Sequence, residues 1–161
     1  MSKQQAHSWW VLAILPGIHI FLVILTVELS ATTPGGAYYR IVGVDPVVAG
    51  LLMVYEGVFI HLCFLLVGTA WWFGVGLLGW LSRGGRVSAV SRAVVINTLI
   101  GLLGIAMVIP VFRRDLVNGV VSLAVGLQYL CAGLLCIGAF VSAAYAWKAR
   151  NGDIGMTGFN G

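Results

Sequence analysis

Charge is what this sequence has least of. Asp, Glu, Lys and Arg make up 9% of its 161 residues, against about 25% in soluble domains. Hydrophobic residues reach 60%, and that imbalance places the chain in the membrane class before any single residue is read. Carboxylates are scarcest, five in all, and no group of them clusters with His at di-metal spacing. There is no G-x-x-x-x-G-K-S/T phosphate loop, no H-E-x-x-H zinc helix, no C-x-x-C and no nucleophile elbow. An enzyme acting on its own is therefore not expected. The net charge of +4 comes without a basic run or interleaved aromatics, so nucleic acid is excluded as a partner. Cysteines number three, Cys63, Cys131 and Cys136, each inside an apolar stretch. An odd count in such positions is not a disulfide framework. They read as small buried hydrophobes.

What is there is a series of long apolar runs. The first, Trp9 to Leu29, spans about 30 Å as a helix, the thickness of the hydrocarbon core. It is too long for a signal-peptide core, and Glu28 stands where a cleavage site would be, so it is read as a retained span. Trp9 and Trp10 belong to an interfacial aromatic belt, and Pro16 with Gly17 predicts a kink. Residues 30 to 45 carry turn chemistry and the Tyr38–Tyr39–Arg40 triplet, which predicts an outer loop. Asp45–Pro46 predicts a helix start, with Asp45 as the cap.

The fold class expected is an all-α integral membrane protein, a single domain of four transmembrane helices. Their ranges are about 9–29, 47–81, 92–112 and 116–147, in an up-down bundle with both termini cytoplasmic. Within 47–81 the membrane part reaches about Trp72, and the Gly-rich remainder is an extension or an interfacial segment. Ser88 or Ser91 would cap the third helix. Arg113–Arg114–Asp115 would form the turn before the fourth, with Asp115 or Asn118 as its cap. Lys148, Arg150 and Gly152 would end that helix, and the tail from Asp153 is expected to pack poorly. Lys3, Arg83, Arg86, Arg92, Lys148 and Arg150 fall on one side, and Arg40, Arg113 and Arg114 on the other. The richer side is cytoplasmic by the positive-inside rule. In a bacterium this would be the inner membrane. No internal repeat supports an inverted-repeat transporter.

Small residues mark helix contacts in lipid. In the fourth helix Gly119, Gly126 and Gly133 recur every seven positions, interleaved with Ser122, Tyr129 and Cys136, which predicts a packing seam. Asn97, Gly101 and Gly104 share a face of the third helix. Gly57, His61 and Gly68 share one of the second.

Ionisable residues inside a bilayer are expensive and point to function. Here they are His19, Glu28, Glu56 and His61. By helical rise His19 and His61 lie within about 5 Å of the same depth, so the pair could hold one haem b through both axial positions. His61 alone could ligate a chlorophyll-type pigment. The plainer reading is interhelical hydrogen bonding, with Glu56 level with His19 as its partner. Glu28 reads as an interfacial carboxylate paired with Arg40 or Arg113, or as a stop on a proton or quinone path with Glu56. His7 reads as solvated.

One His in each of the first two of four helices resembles the layout of small cytochrome b anchor subunits of respiratory complexes, in architecture rather than in motif. The function expected is a non-catalytic accessory or anchor subunit of a larger membrane complex, in electron transfer or light energy conversion. Its partners would be other integral membrane subunits and lipids. The alternative is a small transporter or channel with Glu56 and His19 lining a polar path.

Overall fold

A computed structural model describes residues 10–32, 36–41, 44–45, 58–83 and 90–156, with side chains for 12–31, 36–38, 40–41, 44–45, 61–81 and 92–148. Glu56, Gly57, Pro46, His7, Ser88 and the start expected for the second helix at Val47 lie outside the described residues. The described elements are α1 (Trp10–Thr32), α2 (Gly36–Tyr39), α3 (Val58–Cys63), a π-helical turn (Phe64–Gly68), α4 (Thr69–Arg83), α5 (Val90–Val117) and α6 (Leu123–Met156). α3, the π turn and α4 form one continuous helix. Among the described residues, four helices are long and apolar enough to cross a membrane, at Leu12–Ala31, His61–Leu81, Arg92–Val117 and Leu123–Lys148.

Each helix buries a narrow stripe. In α1 it is Leu15, His19, Leu22, Val23 and Thr26, the helical spacing of one face. Pro16 lies within α1 without ending it. Along the second helix Phe64, Gly68 and Trp72 are buried at steps of four, the phase that a wider π turn provides. Val75 and Gly79 continue the stripe. α5 buries Ala93, Asn97, Gly101 and Gly104, the small-residue face read from the sequence, and leaves most of its other side chains uncovered.

Neighbouring helices run antiparallel. His19 meets Thr69 and lower-numbered α1 residues meet higher-numbered α4 residues around one groove. Asn97 meets Ser142, and Asp115 meets Tyr129. Gln128 meets Thr26, while a Cβ on Gly138 would strike Leu15.

Three expectations need correction. First, Arg113–Arg114–Asp115 is not a turn. α5 runs through it to Val117, and the reversal comes at Asn118–Gly119, where Gly119 takes φ 64°, a conformation that favours glycine. The fourth helix therefore starts later than position 116, with the Ser122 side chain accepting from the Val125 N–H at 3.3 Å. It reads on to Met156 through Gly152. Second, the glycine seam of the fourth helix is out of phase. Gly119 lies in the turn, and a Cβ on Gly126 or Gly133 would meet nothing within 4 Å. The buried seam is Val125, Gln128, Ala132, Leu135, Ala139, Ser142 and Ala146, alternating steps of three and four as in left-handed packing. Mostly alanine and serine, not glycine, let the backbones approach.

Third, the described residues 36–41 and 44–45 are not an outer loop. Ala37, Tyr38, Arg40, Ile41, Val44 and Asp45 are all buried. Ile41 and Val44 share one core cluster with Leu22, Val23, Phe64, Trp72 and Leu135. Asp45 reaches inward to His19, which by helical rise is about 20 Å along α1 from Thr32, and the helix start it is expected to cap lies outside the described residues. The segment folds back between the helices because its apolar side chains fit the interior and its polar ones find partners there. Irregular backbone at such depth is tolerated only where protein surrounds it.

Candidate functional site

The polar interior is built around this inserted segment. His19 is 0% exposed and Asp45 1%. The Nδ1 of His19 lies 3.1 Å from Thr69 Oγ1, and its Nε2 lies 3.4 Å from Asp45 Oδ2. The second distance is that of an ion pair without a formed hydrogen bond. Phe64 packs edge-on to the His19 ring at 4.9 Å between centroids. Gly68 forms the floor. A Cβ there would overlap both Asp45 Oδ2 and the His19 ring, so glycine is what admits this contact.

Higher along α1, Tyr38 Oη and His61 Nε2 are 2.6 Å apart, with the rings edge-to-face. Burial pushes the Tyr38 phenol above its ordinary range, while a hydrogen bond with Ser30 pulls it back in part. His61 is half-buried and shares with Glu28 an outward groove of about 310 Å3, lined also by Val23, Ile24, Val27, Leu62 and Leu65. Glu28 was expected to pair with Arg40 or Arg113. Arg40 instead donates from Nε to Asp115 Oδ2 at 2.7 Å, and Tyr129 Oη donates to the same oxygen at 2.8 Å. No ion pair of Glu28 occurs among the described residues.

Four further bonds tie the interior. Gln128 Nε2 donates to Thr26 Oγ1 at 2.9 Å and to the Ala37 carbonyl at 3.4 Å. Asn97 Nδ2 donates to Ser142 Oγ at 2.8 Å, and that hydroxyl donates to the Val75 carbonyl.

The structure thus brings His61 and Glu28 to one groove, which His19, fully buried, does not line. These residues do not fit a haem held by both imidazoles. The ring nitrogens of His19 face Thr69 and Asp45, and Phe64 packs edge-on against the His19 ring and against Tyr38. His61 turns its Nε2 to Tyr38, so a single-ligand pigment would have to displace that phenol. Among the described residues no group of three His, Cys, Asp or Glu could hold a metal ion.

The reading of the sequence missed Asp45, Arg40, Asp115, Tyr38 and Thr69 as interior polar groups. Asp45 had one available signal, a carboxylate immediately before a long apolar run. Arg40 and Asp115 had opposite charge and adjacent interfaces. No family model matches the chain, nor does any curated protein or solved structure.

Proposed function

We propose that this chain is a non-catalytic accessory or anchor subunit of a larger membrane complex. The observation that carries this reading is how polarity is distributed. Apart from Glu28 and His61 on one groove and the indole N–H groups of Trp71 and Trp72, most described polar side chains of the bundle's centre bond to one another, and the faces turned outward are apolar. Such a unit has no described water-filled passage and nothing to react with, but a broad surface for other membrane helices. Gly126 and Gly133, with open space beside them, suit close approach of a neighbour. The setting proposed is electron transfer or light energy conversion, with this chain supporting the assembly without a bis-imidazole haem of its own.

The proposed arrangement is an up-down four-helix bundle with both termini cytoplasmic, which in a bacterium places it in the inner membrane. Support comes from the antiparallel contacts above and from the excess of Lys and Arg at one set of ends. Mild detergent extraction is expected to show the chain migrating with larger membrane subunits. Migration only as a free monomer under those conditions overturns the proposal.

A second reading, a small transporter or channel using Glu56 and His19, draws support from one observation, the buried contact of His19 with Asp45. It requires flux in proteoliposomes that Glu56→Gln abolishes, and absence of flux in the unsubstituted protein removes it.

A further inference from the structure

A groove of about 290 Å3 runs down one side of the bundle, walled by α1, α4 and α6. Its lining is apolar, with Ile14 and Ile18 from α1, Gly76 and Gly79 from α4, and Leu134 and Val141 from α6. Two close approaches set its floor. A Cβ on Gly79 would strike Ser142, and one on Gly138 would strike Leu15. Glycine thus brings α4 and α1 against α6 and leaves a valley over the contacts. Ser142 also lines the groove, with its hydroxyl engaged by Asn97 and the Val75 carbonyl. Ile14, Ile137 and Val141 are 54%, 57% and 48% exposed, so the groove opens sideways, toward the lipid around a membrane-crossing helix.

The groove has the depth of one leaflet. From Leu134 to Tyr145 it covers about 16 Å by helical rise, half of a hydrocarbon core of about 30 Å. All three walls lie toward the same end of their spans, the end proposed to be cytoplasmic. Trp80 and Tyr145 line it at that end, where an interfacial aromatic belt belongs. One turn further, the stripe on each of these two helices reaches a basic residue. On α4 it runs Gly76, Trp80, Arg83, and on α6 it runs Ile137, Val141, Tyr145, Lys148, in steps of three and four that keep to one face. Lys148 is exposed. Of the carboxylates, Glu28 and Asp115 stand at the opposite end, and Asp153 lies past Lys148 on α6, off that face by register.

We propose that this groove is a binding site for an anionic phospholipid of the adjoining leaflet. One acyl chain lies along α6 over Gly79 and Gly138, and the phosphate meets the positive charge carried at positions 83 and 148. Charge complementarity singles out this occupant. A neighbouring apolar helix could fill the valley but gives no reason for two cations at its mouth, and an isoprenoid quinone brings no charge to meet them. Basic pockets between transmembrane helices on the cytoplasmic side are a recurring seat of anionic headgroups. No covalent bond is made or broken. The inference goes beyond the assembly role and takes from that reading only the orientation, which names the leaflet.

The test is indifferent to orientation and to partners, because it uses the isolated full-length chain in non-ionic detergent. The chain is titrated with phosphatidylglycerol and, separately, with phosphatidylcholine of the same acyl chains, and bound lipid is counted by native mass spectrometry. The expected result is a single phosphatidylglycerol per chain, held at least about tenfold more tightly than phosphatidylcholine, since two basic residues beside a headgroup supply up to roughly thirtyfold. Arg83→Gln combined with Lys148→Gln should bring the two lipids within about threefold of each other. Arg113→Gln combined with Arg114→Gln removes the same charge at the opposite end and should leave the preference intact. Val141→Trp, on the open side of the groove, puts a ring where the acyl chain lies and should weaken both lipids by about tenfold. Should its melting profile show that it does not fold, Ile137→Trp replaces it with the same expectation. Glycerol phosphate, which has the charge without the chain, should not displace the lipid. Equal affinity for the two lipids overturns the proposal. So does loss of the preference in the Arg113 and Arg114 variant, or undiminished binding to the filled groove. Displacement of phosphatidylglycerol by an equal concentration of glycerol phosphate or of an isoprenoid quinone overturns it as well, by naming a different occupant.

Discussion

Arg40 and Asp115 stand 75 positions apart in the chain, and Nε of the first donates to Oδ2 of the second at 2.7 Å with both side chains nearly sealed from solvent. The bond joins the inserted segment to the end of α5, and Tyr129 of α6 donates to the same carboxylate oxygen. Asp115→Ala is expected to cost about 3–5 kcal/mol, because it strands a buried guanidinium. Arg114, 60% exposed and 3.5 Å from the other carboxylate oxygen, is expected to contribute at most about 1 kcal/mol. Equilibrium unfolding in mixed detergent micelles would rank the two substitutions. Equal losses would show that Arg40 is not the partner that matters.

Glycines sort into two classes with opposite expectations. Gly68→Ala puts a methyl into Asp45 and His19, and Gly79→Ala puts one into Ser142 including its backbone. Each is expected to lose about 1–3 kcal/mol as an overpacked site. Gly126→Ala and Gly133→Ala meet open space and are expected to leave the isolated chain as stable as before or slightly more so. If the proposed assembly forms through that face, the same two changes should weaken co-migration with larger subunits. Thermal melts of the isolated chain and native gels of the extract separate the two effects.

The hydrogen bond from Tyr38 to His61 makes a pH prediction with a definite sign. Burial raises the phenol above its ordinary 10.0, so the folded chain favours neutral Tyr38 more than the unfolded chain does. The stabilisation is complete below pH 10.0 and is lost as pH rises through the higher folded value. Tyr38→Phe should remove about 0.6–2 kcal/mol at neutral pH and flatten the alkaline loss. Unfolding measured at neutral and strongly alkaline pH checks this. An unchanged alkaline slope in Tyr38→Phe would assign the loss to another group.

Haem binding can be tested directly. With His19 turned to Thr69 and Asp45 and His61 turned to Tyr38, added haem is expected to give no low-spin bis-imidazole spectrum with the purified chain. Appearance of such a spectrum, and its loss in both His19→Ala and His61→Ala, would show that these contacts open to admit the ring.

Sidedness rests on charge and has its own test. A cysteine at Asn118, in the exposed turn between α5 and α6, is expected to react with an impermeant maleimide from outside intact cells. One at Arg86 is expected to react only after lysis. The reverse pattern inverts the orientation.

The four spans, their approximate places and the small-residue face at Asn97, Gly101 and Gly104 were all legible in the sequence. The reason is that hydropathy over about 20 residues is a local property, set by what lipid requires of a crossing helix. Helix ends were less legible. Arg113 to Asp115 reads as a polar break, yet Asp115 pairs with Arg40, so a distant partner keeps the turn helical. The phase of the fourth helix was misread for a similar reason. A glycine reports only that a backbone could be approached, and Gly126 and Gly133 are not where α5, α4 and α1 come closest. What only the tertiary structure decided is the site itself. Residues 36–45 have loop composition, and whether they lie on the bundle or in it depends on the room left by Gly68 and on partners at positions 19, 61, 115 and 128. Those partners lie up to about 90 positions away, beyond the reach of any local pattern, because the burial of a polar segment is decided by whether each of its hydrogen bonds can be remade inside.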